Sequence, residues 1–196
     1  DIDRADAGEE EREGKEDYRI PALFQHGRAI GWTGLNDDAR LQLIEALRDV
    51  TSGKVFVEVE RARVTRMLSD MLYARGDVNA AADALQELAV ETFGSLGRRE
   101  KVEFILEQMR LNLERGDLHR VNMFSRKINT KYFAEAENHD LKLLFYNIMI
   151  QCATRERKHL DVCKYYRAVL DTPAVASDAA RAADALRNVI MFLVLS

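Results

Sequence analysis

Two glutamates four residues apart, Glu103 and Glu107, are the first place to look for chemistry in this 196-residue chain. On a helix that spacing sets both carboxylates on one face, where they could do general acid–base work or share metal ions. A di-metal carboxylate site would add Glu-x-x-His pairs on neighbouring helices, and no helix read from the sequence carries one. Arg99 and Arg110 lie one turn away on either side, so the reading is an exposed helical salt-bridge ladder. Each such pair contributes about 0.2–0.5 kcal/mol.

The remaining candidates are scattered. His26, His119, His139 and His159 share no motif. His119 and His159 fall at the starts of second helices of hairpins, where a surface role is expected. His139-Asp140 has the residue types of an oriented imidazole, but no nucleophile or metal partner is placed beside it. Cys152 and Cys163, the only cysteines, lie on apolar helical faces and read as buried free thiols, with a disulfide or metal site as the alternative. Lys164-Tyr165-Tyr166-Arg167 mixes basic and aromatic groups as single-strand binders do. On a helix the four point in all directions. Tyr166 then continues a buried side made by Leu160, Cys163 and Leu170. The chain has no phosphate-cradling glycine loop, HExxH, GxSxG or CxxC. The reading is not an enzyme, with no catalytic, cofactor-binding or metal residues and no cofactor.

What must position these side chains is a set of helices. In Arg99–Asn129, Val102, Ile105, Leu106, Met109 and Leu113 form one apolar helical face. Phe104 and Leu111 form a second, so this helix should be sandwiched between neighbours. Gly116 should end it, since glycine accepts the left-handed backbone of a helix C-terminus. Asp117 should cap the next helix. Val64, Met67, Leu68 and Met71 repeat the pattern upstream of Gly76-Asp77; Leu141, Leu144, Phe145, Ile148 and Cys152 repeat it downstream. The first positions are about 38 to 39 residues apart, the interval of helix-turn-helix repeats. The expectation is an all-α fold without a sheet, a right-handed α-solenoid of tetratricopeptide-like hairpins.

Around these hairpins the sequence predicts an acidic, largely disordered or irregular segment at 1–35, with a short helix conceivable at Ala22–Ala29, and a helical-repeat domain at 36–196. A helix over Asp38–Val50 buries Leu41, Ile44 and Leu47. Val55–Glu60 alternates like a strand, but nothing could pair with it, so one helix is read from about Lys54. Second helices begin at Val78, Leu118 and Leu160, the middle one reaching Ile128. Tyr132 and Phe133 plug the junction between repeats. Thr172-Pro173 stops a helix, and Ser177 caps a last one. Its run Val189–Leu195 is apolar on all sides, and the isolated chain is expected to self-associate through it.

Composition narrows the function classes. Only two prolines, with 47% apolar and 32% charged residues, favour a helical protein. No apolar run approaches the ~20 residues of a membrane span, and the acidic N-terminus has no signal-peptide character. The net charge of −4 divides unevenly, with nine acidic and three basic side chains in residues 1–17. Neither part holds a basic stripe, which argues against nucleic acid. A solenoid of this kind is a protein-binding scaffold, with no small-molecule substrate.

Several long stretches then carry a resemblance: Gly53–Arg63, Leu85–Leu88 with Val90–Ser95, Lys101–Leu111, Ser125–Phe133 and Cys163–Pro173. Together they resemble the PCI-domain family of non-ATPase lid subunits of the proteasome regulatory particle, from about Asn36 to the end of the chain. The resemblance implies tetratricopeptide-like repeats preceding a PCI domain, before whose winged helix this chain stops. Residues 1–35 do not look like the family's N-terminal helices. It also implies a non-catalytic scaffold in ubiquitin-dependent protein degradation, in cytoplasm and nucleus, with other lid subunits, the ATPase base and the core particle as partners. The alternatives are the paralogous signalosome subunit and a generic tetratricopeptide-like peptide-binding adaptor.

Overall fold

A computed structural model describes residues 36–54 and 57–196. The expectations for the acidic segment, Ala22–Ala29 and His26 lie outside the described residues.

Helix α1 (Asp37–Thr51) opens on an Asn36 cap whose side chain accepts from the Ala39 N–H. Three hairpins follow: α2 (Glu58–Ala74) with α3 (Val78–Gln86), α4 (Arg98–Glu114) with α5 (Leu118–Ser125), and α6 (His139–Arg155) with α7 (His159–Leu170). A single turn, α8 (Pro173–Ala176), leads into α9 (Ala179–Val194). The described residues contain helices, 3-10 turns and loops, with no strand. Each element packs on its neighbours in order, α1 on α2, α3 on α4, α4 on α6 and α7 on α9, as in a stack of hairpins.

One turn geometry makes all three hairpins. Gly76 and Gly116 sit at φ 85° and 88°. The Asp77 N–H donates to the Leu72 carbonyl at 3.0 Å and the Gly76 N–H to that of Tyr73 at 2.9 Å; Asp117 and Gly116 bond Asn112 and Leu113 in the same way. This double bond to the last turn is a Schellman closure. The same aspartates then cap α3 and α5, accepting from the Ala80 and Arg120 N–H groups. In the third hairpin Lys158 and Arg157 bond Ala153 and Thr154 identically, but Arg157 takes the left-handed position at φ 58° and Lys158 provides no side-chain cap.

The first helices α2, α4 and α6 each have 17 residues. Aligned on their turns, Val64 corresponds to Phe104 and Phe145, not to Val102 and Leu141. The repeat is therefore about 40 residues rather than 38 to 39. A helix with two apolar stripes matches its neighbour in more than one register; the turn bonds select one.

Core placement follows the pattern. Val102, Ile105, Leu106, Met109 and Leu113 are buried, and so are Phe104 and Leu111, which gives α4 its two covered faces. Tyr132 and Phe133 are buried beside them in a 3-10 turn. Phe133 lies 5.4 Å from Phe145, Phe145 5.2 Å from Tyr146, and Tyr146 5.9 Å from Tyr165, so the plug joins an aromatic chain running through α6 to α7.

Several boundaries differ from expectation. Helix α2 starts at Glu58 and not at Lys54, after an uncapped Val57; Val55 and Phe56 lie outside the described residues. Helix α5 stops at Ser125, with Ile128 still buried beyond it. The cap of α9 is Asp178, accepting from the Ala180 and Arg181 N–H groups, while Ser177 closes α8. An aspartate with two free N–H groups in reach is the better acceptor.

Candidate protein-binding surface

The glutamate pair is buried. Glu103 is 4% and Glu107 2% exposed, which corrects the expectation of a solvated ladder. Helix α4 is covered on both sides, so positions that would face water on a lone amphipathic helix face α2 and α6 instead. Glu107 accepts from Arg110 at 2.7 Å and meets Arg66 of α2 at 3.3 Å. Arg66 also holds Asp70 at 3.1 Å. Arg110 lies 4.5 Å from the Tyr73 ring and bonds Glu114, which in turn accepts from the Tyr73 hydroxyl at 3.1 Å. Burial pushes the Glu107 carboxyl up, and the two guanidiniums more than offset it, so it titrates below the usual carboxylate range. For Glu103, burial outweighs its single partner Arg99 and the carboxyl titrates above that range. Asp70 is likewise raised, by burial against the pull of Arg66.

These contacts form seams between successive first helices. Arg63–Glu100 at 2.9 Å, Arg66–Glu107 and Tyr73–Glu114 tie α2 to α4. Arg99 pairs with Asp140 and donates to the Glu137 carbonyl at 2.7 Å, and Arg155 donates to the Leu113 carbonyl at 2.5 Å, tying α4 to α6. A carboxylate that takes two guanidiniums has little acceptor capacity left for a metal or a proton relay. The seams are structural. Arg66 stands 41 residues from Glu107 on a different helix, and only the packing of α2 beside α4 brings the two together.

The other candidates separate. His119 is exposed, as expected of a surface histidine. His159 is only half-exposed, its ring stacked 5.9 Å from Phe192, with Tyr166 6.2 Å from the same ring. The only Glu-x-x-His spacing, Glu156 to His159, crosses the α6–α7 turn rather than one helical face. Cys152 and Cys163 are buried and free. Burial, then Glu156, pushes the Cys152 thiol up to about 11. Leu160 is 56% exposed, correcting its placement on the buried side of α7; Val162 and Cys163 take that side, with Tyr165 and Tyr166 half-buried.

What remains for recognition is surface. On α9, Ala185, Val189 and Phe192 turn inward, while Leu186, Ile190, Leu193 and Val194 form an exposed apolar stripe at helical spacing. Between α6 and α9, over α7, lies a groove of about 370 Å³ floored by Ile150, Tyr166 and Phe192. Such a surface is suited to holding other proteins. No helix among the described residues is long and apolar enough to cross a membrane.

Comparison with known proteins gives the same direction. Residues 24–178 match the family model described as PSMD12/CSN4, N-terminal; the match takes in part of the stretch set apart as 1–35. The Saccharomyces cerevisiae protein named 26S proteasome regulatory subunit RPN5 is 42% identical over 179 residues, 91% of this chain and 40% of that protein. The Schizosaccharomyces pombe 26S proteasome regulatory subunit rpn501 is 41% identical over 178 residues, 90% of this chain and 40% of its own length. The 26S proteasome non-ATPase regulatory subunit 12 of Dictyostelium discoideum is 37% identical over 157 residues, 80% of this chain and 35% of that protein. The chain thus spans about two fifths of the length of such relatives.

Proposed function

Because the chain belongs to the PSMD12/CSN4 N-terminal family, we propose that it is the helical-repeat part of a proteasome regulatory-particle lid subunit. Its work there is non-catalytic, holding other proteins in place during ubiquitin-dependent degradation in cytoplasm and nucleus. The observation that carries the reading is identity above 40% to proteins named proteasome regulatory subunits, over nine tenths of this chain. Its physical support is the stack of hairpins, whose buried glutamates are engaged with arginines and whose surface carries an apolar stripe and a groove. The proposed partners are other lid subunits, the ATPase base and the core particle.

A signalosome subunit is the second reading, since the family description pairs the two kinds of protein; the proteasome names of the relatives quoted favour the first. Affinity purification of the full-length gene product from its own cells separates them. ATPase-ring and core-particle subunits are expected in the eluate. Recovery of cullin-regulating partners without them would replace the lid by the signalosome.

A further inference from the structure

The seams between first helices are not alike. The first two are bridged from one helix to the next by arginine, carboxylate and tyrosine groups. Among the described residues no side-chain hydrogen bond or ion pair joins α6 to α9, although the two helices face each other across the groove. In place of bridges the third seam has a rim of Gln151 and Arg155 from α6 and Asn188 from α9, above the Ile150–Phe192 floor.

Arg155 is the odd member. Counted from the turns it occupies the place that Glu114 holds in α4. One of its nitrogens donates to the Leu113 carbonyl, and among the described residues it has no carboxylate partner. An exposed guanidinium with donors to spare, next to two side-chain amides and an apolar floor, matches a ligand that is anionic at one point and apolar at the next. The groove lies between α6 and α9 and leaves the outer stripe of α9 uncovered, so occupation of one does not obstruct the other.

We propose that the groove between α6 and α9 seats a segment of a neighbouring protein in which a side-chain carboxylate stands close to a large apolar residue. The carboxylate pairs with Arg155, the apolar side chain lies against Met191, Tyr166 and Phe192, and Gln151 and Asn188 bond the segment's backbone. The foreign carboxylate supplies the bridge that the chain's own residues supply at the other two seams. This deepens the scaffold reading and rests on it for the origin of the segment.

The test uses the full-length gene product in its own cells, with a photo-crosslinking amino acid at exposed Thr154 beside the groove, or at Asn79 on α3 as a control. The expected result is an adduct from Thr154, and none from Asn79, with a peptide of another subunit holding Asp or Glu within a few residues of Leu, Ile, Met or Phe. Gln151→Glu sets a competing carboxylate one turn before Arg155, a favourable helical pairing that leaves the fold intact. It should lower the adduct yield roughly tenfold, as loss of a charge-paired contact does, without lowering the melting temperature. The proposal is overturned by no adduct at Thr154 while regulatory-particle subunits still co-purify. An adduct indifferent to Gln151→Glu, or one to a segment without a carboxylate, overturns it as well. If no regulatory-particle subunit co-purifies, the scaffold reading falls; an acidic-apolar adduct found even then would support the groove with a different partner.

Discussion

Glu107 shows why an ion pair cannot be valued from helical spacing. At two per cent exposure between Arg66 and Arg110, it compensates two guanidiniums that have lost water. Removing one member of a buried pair costs about 3–5 kcal/mol, and Glu107→Ala is expected to fall in that range by urea denaturation. Leu106→Ala and Met109→Ala, both at buried positions, should each cost roughly 2–5 kcal/mol through the cavity left behind. The two glutamates also differ in pH response. Glu107 titrates lower in the folded chain than the ordinary glutamate value of 4.5. Its contribution is therefore present above that value and is lost as pH falls through the folded pKa. Glu103 titrates higher, so its ionisation costs the native state as pH rises from 4.5 through the folded pKa. Melting temperatures between pH 6 and 3 should show a shallower acid decline for Glu107→Gln and a steeper one for Glu103→Gln. The reverse order would mean that one of the two carboxylates is solvated in the native chain.

At the scale of the element, the third turn departs from the other two. Arg157 at φ 58° occupies the conformation that glycine takes at 76 and 116, and a side chain there costs about 1–2 kcal/mol. Glycine also loosens the unfolded chain, which returns part of the gain. The net expectation for Arg157→Gly is a stabilisation of roughly 0.5–1 kcal/mol. Lys158→Asp should add about 1 kcal/mol by capping α7 as Asp77 and Asp117 cap α3 and α5. Gly116→Ala is the converse, and since nothing lies within 4 Å of the added carbon, its loss of about 1–2 kcal/mol reports backbone conformation alone. Chemical denaturation midpoints of the three variants check the set. A destabilising Arg157→Gly would show that the arginine side chain makes a contribution larger than its strain.

For the whole molecule, the governing feature is the apolar stripe of α9. Leu193 and Val194 are 58% and 81% exposed, and a contiguous patch of this kind drives association. The 196-residue chain on its own is expected to sediment above monomer mass, in a concentration-dependent way. Ile190→Lys with Leu193→Lys should restore the monomer without changing the helical content. A parent chain that is already monomeric at high concentration would remove the stripe from the account.

The helices, their apolar faces and the Gly-Asp turns could be read from the chain alone, because period, capping and left-handed backbone are local matters decided within a few residues. The same holds for the buried Phe104 and Leu111, whose seven-residue spacing already required two covered faces. The tertiary structure decided what depends on two helices at once. It set α2 beside α4 so that Arg66 meets Glu107, a contact that neither the turns nor the spacing along one helix encodes. It turned Glu103 and Glu107 from surface to interior, since a charged residue beside an apolar face is exposed or buried according to the neighbour that covers it. It also left Arg155 without a carboxylate among the described residues, a property of the unbridged seam between α6 and α9 that no spacing along one helix encodes.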